Sequence, residues 1–380
     1  METLKQDLDS NNRQLGSGWL SGVLALFLAV AGLSAVLCVC FPQILTVADS
    51  REYYNMSVIR VAIHVVLLAA FFLALLNVVL RDQKVMGFAA LLLVMIASLM
   101  GGSQASMKAD FSSDIYLGLD FFILNLVFLG AVFIPIEQLF QKNKQAILRY
   151  EWREDLLYFF ISTLFVQGLT FASLAPSLTV LAATEWAAGV RSLIASQPIL
   201  LQFLEIMFLT DLVQYWVHRV FHRHARLWKF HAVHHSARAM DWLAGSRMHL
   251  LEVIVLRSLT TLPMYVLGYA ESALYAYILF VYILSVFIHS NLSIPFGFLQ
   301  YIIATPRFHH WHHGVEKEAI DVNFAIHFPV IDMVFGTFHM PEDRWPTGYG
   351  IDGHPVPKGF WQQFLYPFSA DEQSKNEKPE

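Results

Sequence analysis

Long apolar runs separated by short polar stretches dominate the chain. Predominantly apolar residues occupy positions 19–46, 58–80, 85–102, 114–138, 155–182, 199–220, 250–268 and 272–290. A helix needs roughly 20 such residues to cross the hydrocarbon layer, and in lipid its backbone groups must be satisfied within the segment itself. The pattern predicts an all-α, polytopic membrane protein with about eight transmembrane helices, the third being the shortest. The first run follows a polar segment and exceeds the ~7–15 residue core of a secretory signal, so it reads as a retained membrane helix.

Composition agrees with this pattern. Of the 380 residues, 56% are hydrophobic and 14% charged, against roughly 45–50% and 25% in soluble domains; the mean hydropathy is +0.50. A net charge of -5 offers nothing to a nucleic acid. Cys38 and Cys40 lie inside an apolar run and read as packing residues. Lys and Arg gather on the cytoplasmic side of short loops. With a cytoplasmic N-terminus, that side receives Lys5, Arg13, Arg81, Lys84, Lys142, Lys144, Arg149 and Arg153, while the opposite side receives Arg51, Lys108 and Arg191. The same alternation puts the region after the sixth run in the cytoplasm.

Chemistry enters in the second half. Of the 16 histidines, only His64 precedes residue 218; alone in an apolar run, it reads as a hydrogen-bonded packing residue. Residues 1–140 therefore form an N-terminal membrane module of about four spans without a chemical motif. Residues 141–155 read as a linker opening the catalytic part, 141–368, and the apolar-free end of the polar tail, 369–380, should be disordered.

The histidines fall in three clusters: His218 and His222; His231, His234 and His235; and His309, His312 and His313. On a helix, positions i, i+3 and i+4 share a face. Imidazole suits iron, zinc, copper and nickel, and eight imidazoles exceed what one such ion accepts, so two metals are expected. These clusters should form a histidine-rich cytoplasmic helical cap on the last four spans. The hairpin of runs seven and eight returns His249 and His289 to the same edge, as further candidate ligands. Asp211, seven residues before His218 in an apolar run, is expected to hold an imidazole N–H. His224 and His310 fall off the ligand spacing and should be exposed; His327, His339 and His354 receive no role.

The set H-x-x-x-H, H-x-x-H-H and H-x-x-H-H, flanked by TPRFHHWHH and DVNFAIHFPVIDMVFGTFH, resembles the fatty acid hydroxylase/sterol desaturase superfamily of membrane di-iron enzymes. It looks most like the alkylglycerol monooxygenase and bacterial sterol desaturase-like branch, over residues 145–368. The resemblance implies that the eight clustered histidines hold two iron ions, that His249 and His289 match accessory positions, and that Asp321, Asn323 and Asp332 fall on motif positions supporting them. Phe324 and Ala325 stand where the branch has Y-G, and Ile331 where it has the Trp of W-D; these departures touch no ligand but loosen the link to the branch's substrates.

The expected function is an O2-dependent hydroxylation or desaturation of a lipid such as a fatty acyl, sterol or alkylglycerol lipid. With no fused haem or flavin motif, electrons would come from a separate ferredoxin, cytochrome b5 or reductase. Two competitors use the same residues: a zinc-dependent membrane hydrolase, with zinc in place of iron, and a metal transporter, which would need polar ligands near the membrane midplane. With no obvious retention signal at the Glu380 end, a bacterial inner membrane is preferred over the endoplasmic reticulum.

Overall fold

The computed structural model describes residues 8, 17–107, 115–184, 187–342, 344–353 and 355–369. The residues from 370 onward in the tail expected to be disordered, together with Lys5, Arg13, Lys108 and His354, lie outside the described residues. The described chain is helical with no extended strand among the described residues; two isolated β-bridges, Gln141 with Leu292 and Gly314 with Tyr349, are its only strand-like pairings. The chain divides into two compact units, residues 1–127 with 163–167, and 128–162 with 168–380.

Three long helices pack together in the first unit: α1 (Trp19–Cys40), α2 (Met56–Leu80) and α3 (Val85–Leu99), all in mutual contact. Their shared core is lined by small residues, Ala25, Ala29, Ala70, Ala74, Ala90 and Ala97, all fully buried. Lipid supplies little hydrophobic drive for helices to associate, so close backbone approach and interhelical hydrogen bonds carry the packing. Asn77 provides such a bond. Its amide donates to the Gly18 carbonyl at 2.8 Å and accepts from the Gly87 N–H at 2.9 Å. Large apolar side chains point outward instead, among them Val58, Phe72, Phe88 and Leu99. His64 bonds Ser103 through Nδ1 at 3.3 Å, and Cys38 and Cys40 are free and buried.

Apart from the short helices Pro42–Leu45 and Ala188–Ala195, the further α-helices are α4 (Leu119–Leu139), α5 (Trp152–Leu164), α6 (Val166–Ala183), α7 (Ile199–Arg223), α8 (Ala225–His235), α9 (Leu250–Val266), α10 (Glu271–His289), α11 (Pro306–His312), α12 (Pro329–Phe335) and α13 (Phe360–Leu365). In the second unit α7 is central, packing on α8, α9 and α10, while α10 also holds α11.

Three expectations change. Among the described residues, seven helices rather than eight are long and apolar enough to cross a membrane: α1, α2, α3 with its extension to Gln104, α4, α6, α7 and α10. The expected seventh span is α9, only 17 residues long and carrying Glu252 and Arg257. It still starts beside the histidines, through Glu252, and α10 still ends among them, at His289. The fifth apolar run breaks at Phe165 into α5 and α6. The 141–155 segment is no free linker: Lys142 and Asn143 donate backbone N–H groups to Asn291, and Arg149 and Asp155 are buried.

Replacing Asn77 with Leu leaves the Gly87 N–H without its acceptor and removes one of the three hydrogen bonds to the Gly18 carbonyl, which keeps those from the Gly22 N–H and the Ser21 hydroxyl. It should cost about 1–3 kcal/mol, read as a lower thermal unfolding midpoint in detergent; a midpoint equal to the parent's would show that Asn77 is dispensable to the packing.

Candidate metal centre

Nine histidines converge in two buried groups. The first contains His218, His222, His231, His235 and His312; the second contains His234, His289, His309 and His313. Within each group the available ring nitrogens lie within 4.8 Å of one another. The groups adjoin: the rings of His235 and His313 stack at 4.4 Å between centroids, and those of His234 and His313 meet at 4.6 Å.

Local structure explains the gathering. The end of α7 presents His218 and His222 one turn apart, and α8 presents His231, His234 and His235 in its last turns. Thr305 caps α11 by accepting the Phe308 N–H, and Pro306 starts that helix, so its single face carries His309, His312 and, just past its end, His313. Gly245 packs against the His289 ring; a Cβ there would stand 2.8 Å from Nδ1, so only glycine fits.

Hydrogen bonds fix the tautomers. A carbonyl can only accept, so Nδ1 carries the proton in His218, which donates to the Phe324 carbonyl at 2.8 Å. The same holds for His234 on Arg247 at 3.0 Å, His289 on Ser285 at 2.6 Å and His312 on Val322 at 2.7 Å. Each Nε2 is then a bare lone pair. Yet the Nε2 atoms of His234 and His289 face each other at 3.2 Å. Two lone pairs at that separation repel; a cation between them turns the repulsion into two bonds.

The close approach of ring nitrogens recurs in the first group. His231 Nε2 lies 2.9 Å from His218 Nε2 and 3.1 Å from His235 Nε2, which lies 3.1 Å from His312 Nε2. Metal–imidazole bonds are about 2.0–2.1 Å; adjacent donors at these spacings subtend roughly 90–100° at such an ion, below the tetrahedral angle. The residues therefore fit two metal ions, and five donors in one group exceed the four of structural zinc.

Burial, followed by repulsion from neighbouring rings, holds His231, His235, His309 and His313 well below the ordinary histidine pKa of 6.5. His234 and His312 shift the same way, again mainly through burial. Neutral rings are the form a metal needs.

Several supporting residues lie far apart in sequence. Glu252, which the sequence reading passed over, is buried on α9 with Oε1 2.5 Å from His231 Nδ1. An acid three residues beyond His249 in an apolar run was the available signal. Asp321 lies 3.3 Å from His222 Nδ1, and that hydrogen bond holds its carboxyl below the usual range. Asp321 and Asn323 adopt left-handed φ values of 58° and 56°, aiming the intervening Val322 carbonyl at His312. Asn323 ties that turn to the Phe308 and His339 carbonyls. Asp332 accepts the Phe324 and Ala325 N–H groups, which orients the carbonyl that His218 bonds. Arg247, whose carbonyl holds His234, sits in a buried ion-pair network with Asp155 and Glu151, and Asp155 also pairs with Arg149.

Other placements differ from expectation. His249 stands apart from both groups: Nε2 bonds the Phe364 carbonyl at 3.0 Å and Nδ1 accepts the Leu251 N–H, so it caps α9. Asp211 touches no clustered imidazole. It accepts the Ile326 and Phe328 N–H groups at 2.8 and 2.7 Å, because the loop before α12 folds back across α7 there. His310 is fully buried, held by the Tyr349 hydroxyl at 2.8 Å, since α11 packs on both faces. His224 is exposed, as expected. His327, given no role, is fully buried near Asp211.

Comparison with known proteins agrees with this geometry. Residues 203–337 match the fatty acid hydroxylase family, so this segment carries a fatty acid hydroxylase domain. The chain is similar to an ornithine lipid hydroxylase of Rhizobium tropici, 32% identical over 45% of this chain and 52% of that protein. It is also similar to the human alkylglycerol monooxygenase, 28% identical over 38% and 32%, and to methylsterol monooxygenase 1-2 of Arabidopsis thaliana, 29% identical over 37% and 47%. The chain spans about half the length, or less, of these curated relatives. No solved structure matches.

Two outcomes are expected. First, the lowered histidines bind protons more weakly folded than unfolded, so their contribution to stability is present above pH ~6.5 and lost as pH falls below it. Metal content, measured after gel filtration at successive pH values, should be constant from about pH 8 to 6.5 and fall only below that; loss beginning above pH 7 would contradict neutral, preorganised rings. Second, Glu252→Ala should weaken metal retention by about 10–100-fold, measured by competition with a chelator, and Glu252→Gln should recover part of it.

Proposed function

We propose that the chain is a membrane-bound di-iron oxygenase that uses O2 and external electrons to hydroxylate or desaturate a lipid. The observation that carries this reading is the set of nine converging imidazoles with opposed lone pairs, lying within a fatty acid hydroxylase domain and at the ends of apolar helices. His218, His222, His231, His235 and His312 would hold one ion, and His234, His289, His309 and His313 the other. Bound iron supplies the oxygen-activating redox chemistry that side chains lack.

The chain's own residues prepare that chemistry. The Phe324, Val322, Arg247 and Ser285 carbonyls hold Nδ1 protons and leave the Nε2 lone pairs free for metal. Asp321 puts negative charge behind His222, which raises ligand basicity, and Glu252, whose carboxyl burial pushes up to about 8, fixes the His231 ring through Nδ1. Phe324, Phe221 and Trp228 pack directly against the rings and exclude water from the oxidising centre.

In this reading residues 1–140 are a membrane module apart from the chemistry, and 141–368 the catalytic part. The loop alternation of Lys and Arg favours a cytoplasmic metal centre, in a bacterial inner membrane, within reach of a ferredoxin, cytochrome b5 or reductase donor. Iron is favoured over zinc because five donors in one group exceed zinc's usual four.

Protein purified without chelators should carry about two iron ions per chain and consume O2 when lipid and a reductant are added. Expressing cells should contain an oxidised lipid absent from cells carrying His234→Ala. Bound zinc with no oxygen uptake, or an unchanged His234→Ala lipid profile, would sink the oxygenase reading.

A further inference from the structure

Arg257 has no part in the metal centre, yet it stands in an unusual place. On α9 the exposed apolar residues Leu251, Val255 and Leu259 form one stripe, four residues apart, that faces away from the bundle. Arg257 projects from the opposite side, on the stripe of Val253 and Met264, both buried. An inward-pointing side chain in a packed bundle is expected to be buried, but Arg257 is exposed. An inward face that is still accessible means a crevice between α9 and its neighbours.

Tyr282 on α10 faces the same space. It and Arg257 influence each other electrostatically, and its hydroxyl is buried without a hydrogen-bond partner. Among the described residues no acid pairs with the Arg257 guanidinium and none accepts a hydrogen bond from it. A guanidinium surrounded by apolar helices with no counter-charge is costly, and an orphaned phenol beside it adds to the cost. Both are relieved by one ligand: an oxyanion accepting from Arg257 and Tyr282 together.

Position gives this pair a role. Arg257 lies five residues along α9 from Glu252, roughly 8 Å, and Tyr282 seven residues along α10 from His289, roughly 10 Å. Both Glu252 and His289 belong to the metal centre. We propose that Arg257 and Tyr282 form an anchoring site for the anionic oxyacid group, carboxylate or phosphate, of the lipid substrate, which fixes the length of chain between anchor and metals. This rests on the oxygenase reading for its consequence, the position oxidised, but not for the binding itself.

The test is equilibrium binding of radiolabelled palmitate, hexadecyl phosphate and hexadecanol to the full chain in nanodiscs of zwitterionic lipid. The parent protein should bind one of the two anions at least about tenfold more tightly than the alcohol of the same chain length. Preference for palmitate identifies the group as a carboxylate; preference for hexadecyl phosphate identifies a phosphate. Arg257→Gln should abolish the preference, Arg257→Lys should keep most of it, and Tyr282→Phe should weaken it by a few-fold, all with parental metal content and gel-filtration profile. Equal binding of anion and alcohol by the parent, or an anion preference that survives Arg257→Gln, would overturn the proposal. Binding needs neither O2 nor turnover. An Arg257-dependent preference without oxygen uptake therefore counts against the oxygenase reading alone, whereas lipid oxidation without the preference counts against the anchor alone.

Discussion

The constraint on which the second unit depends is the opposition of histidine lone pairs. Backbone carbonyls take the Nδ1 protons of His218, His234, His289 and His312, and each bond leaves an Nε2 that can only accept. Those Nε2 atoms are then pressed together with their neighbours at 2.9–3.2 Å in a buried space. Between His234 and His289 two lone pairs meet, so that contact is repulsive without a cation; with one, each ring contributes a bond. The surrounding structure spends much of its polar capacity holding the rings in this otherwise unfavourable state.

That expenditure explains the loop after α11. Left-handed residues at Asp321 and Asn323 are strained for side chains of their kind. They persist because Asn323 is tied to the Phe308 and His339 carbonyls and because Asp332 anchors the next two amides. The result is a pair of carbonyls, Val322 and Phe324, aimed at rings on two different helices. On the other side Arg247 does the same for His234, and its own charge is neutralised by Asp155 and Glu151. A buried ion-pair network adds little net stability, but here it fixes the position of a carbonyl.

Packed along α7 beside the histidine groups runs α9, short for a membrane span and carrying an acid and a base. Glu252 serves the metal centre, while Arg257 faces a crevice in the apolar region. In an apolar surrounding, an ionisable side chain persists when something compensates it. For Glu252 that is His231; for Arg257 it is a ligand that the sequence alone does not reveal.

By itself the sequence determined the membrane class, the helical architecture and eight of the nine converging histidines. Apolar length and the i, i+3, i+4 spacing are local properties that need no fold to be read. It also marked Asp321, Asn323 and Asp332, though not what each one holds. Only the tertiary structure separated His289 from His249. Both sit at the same edge in sequence, but α10 ends inside the cluster whereas α9 begins beside it, capped by its own histidine. Only the fold sent Asp211 to the loop before α12 instead of to an imidazole, buried His310 against Tyr349, and brought Glu252 to His231 across 21 positions. These pairings follow from how helices cross and loops return, and such long-range choices leave no period in the chain.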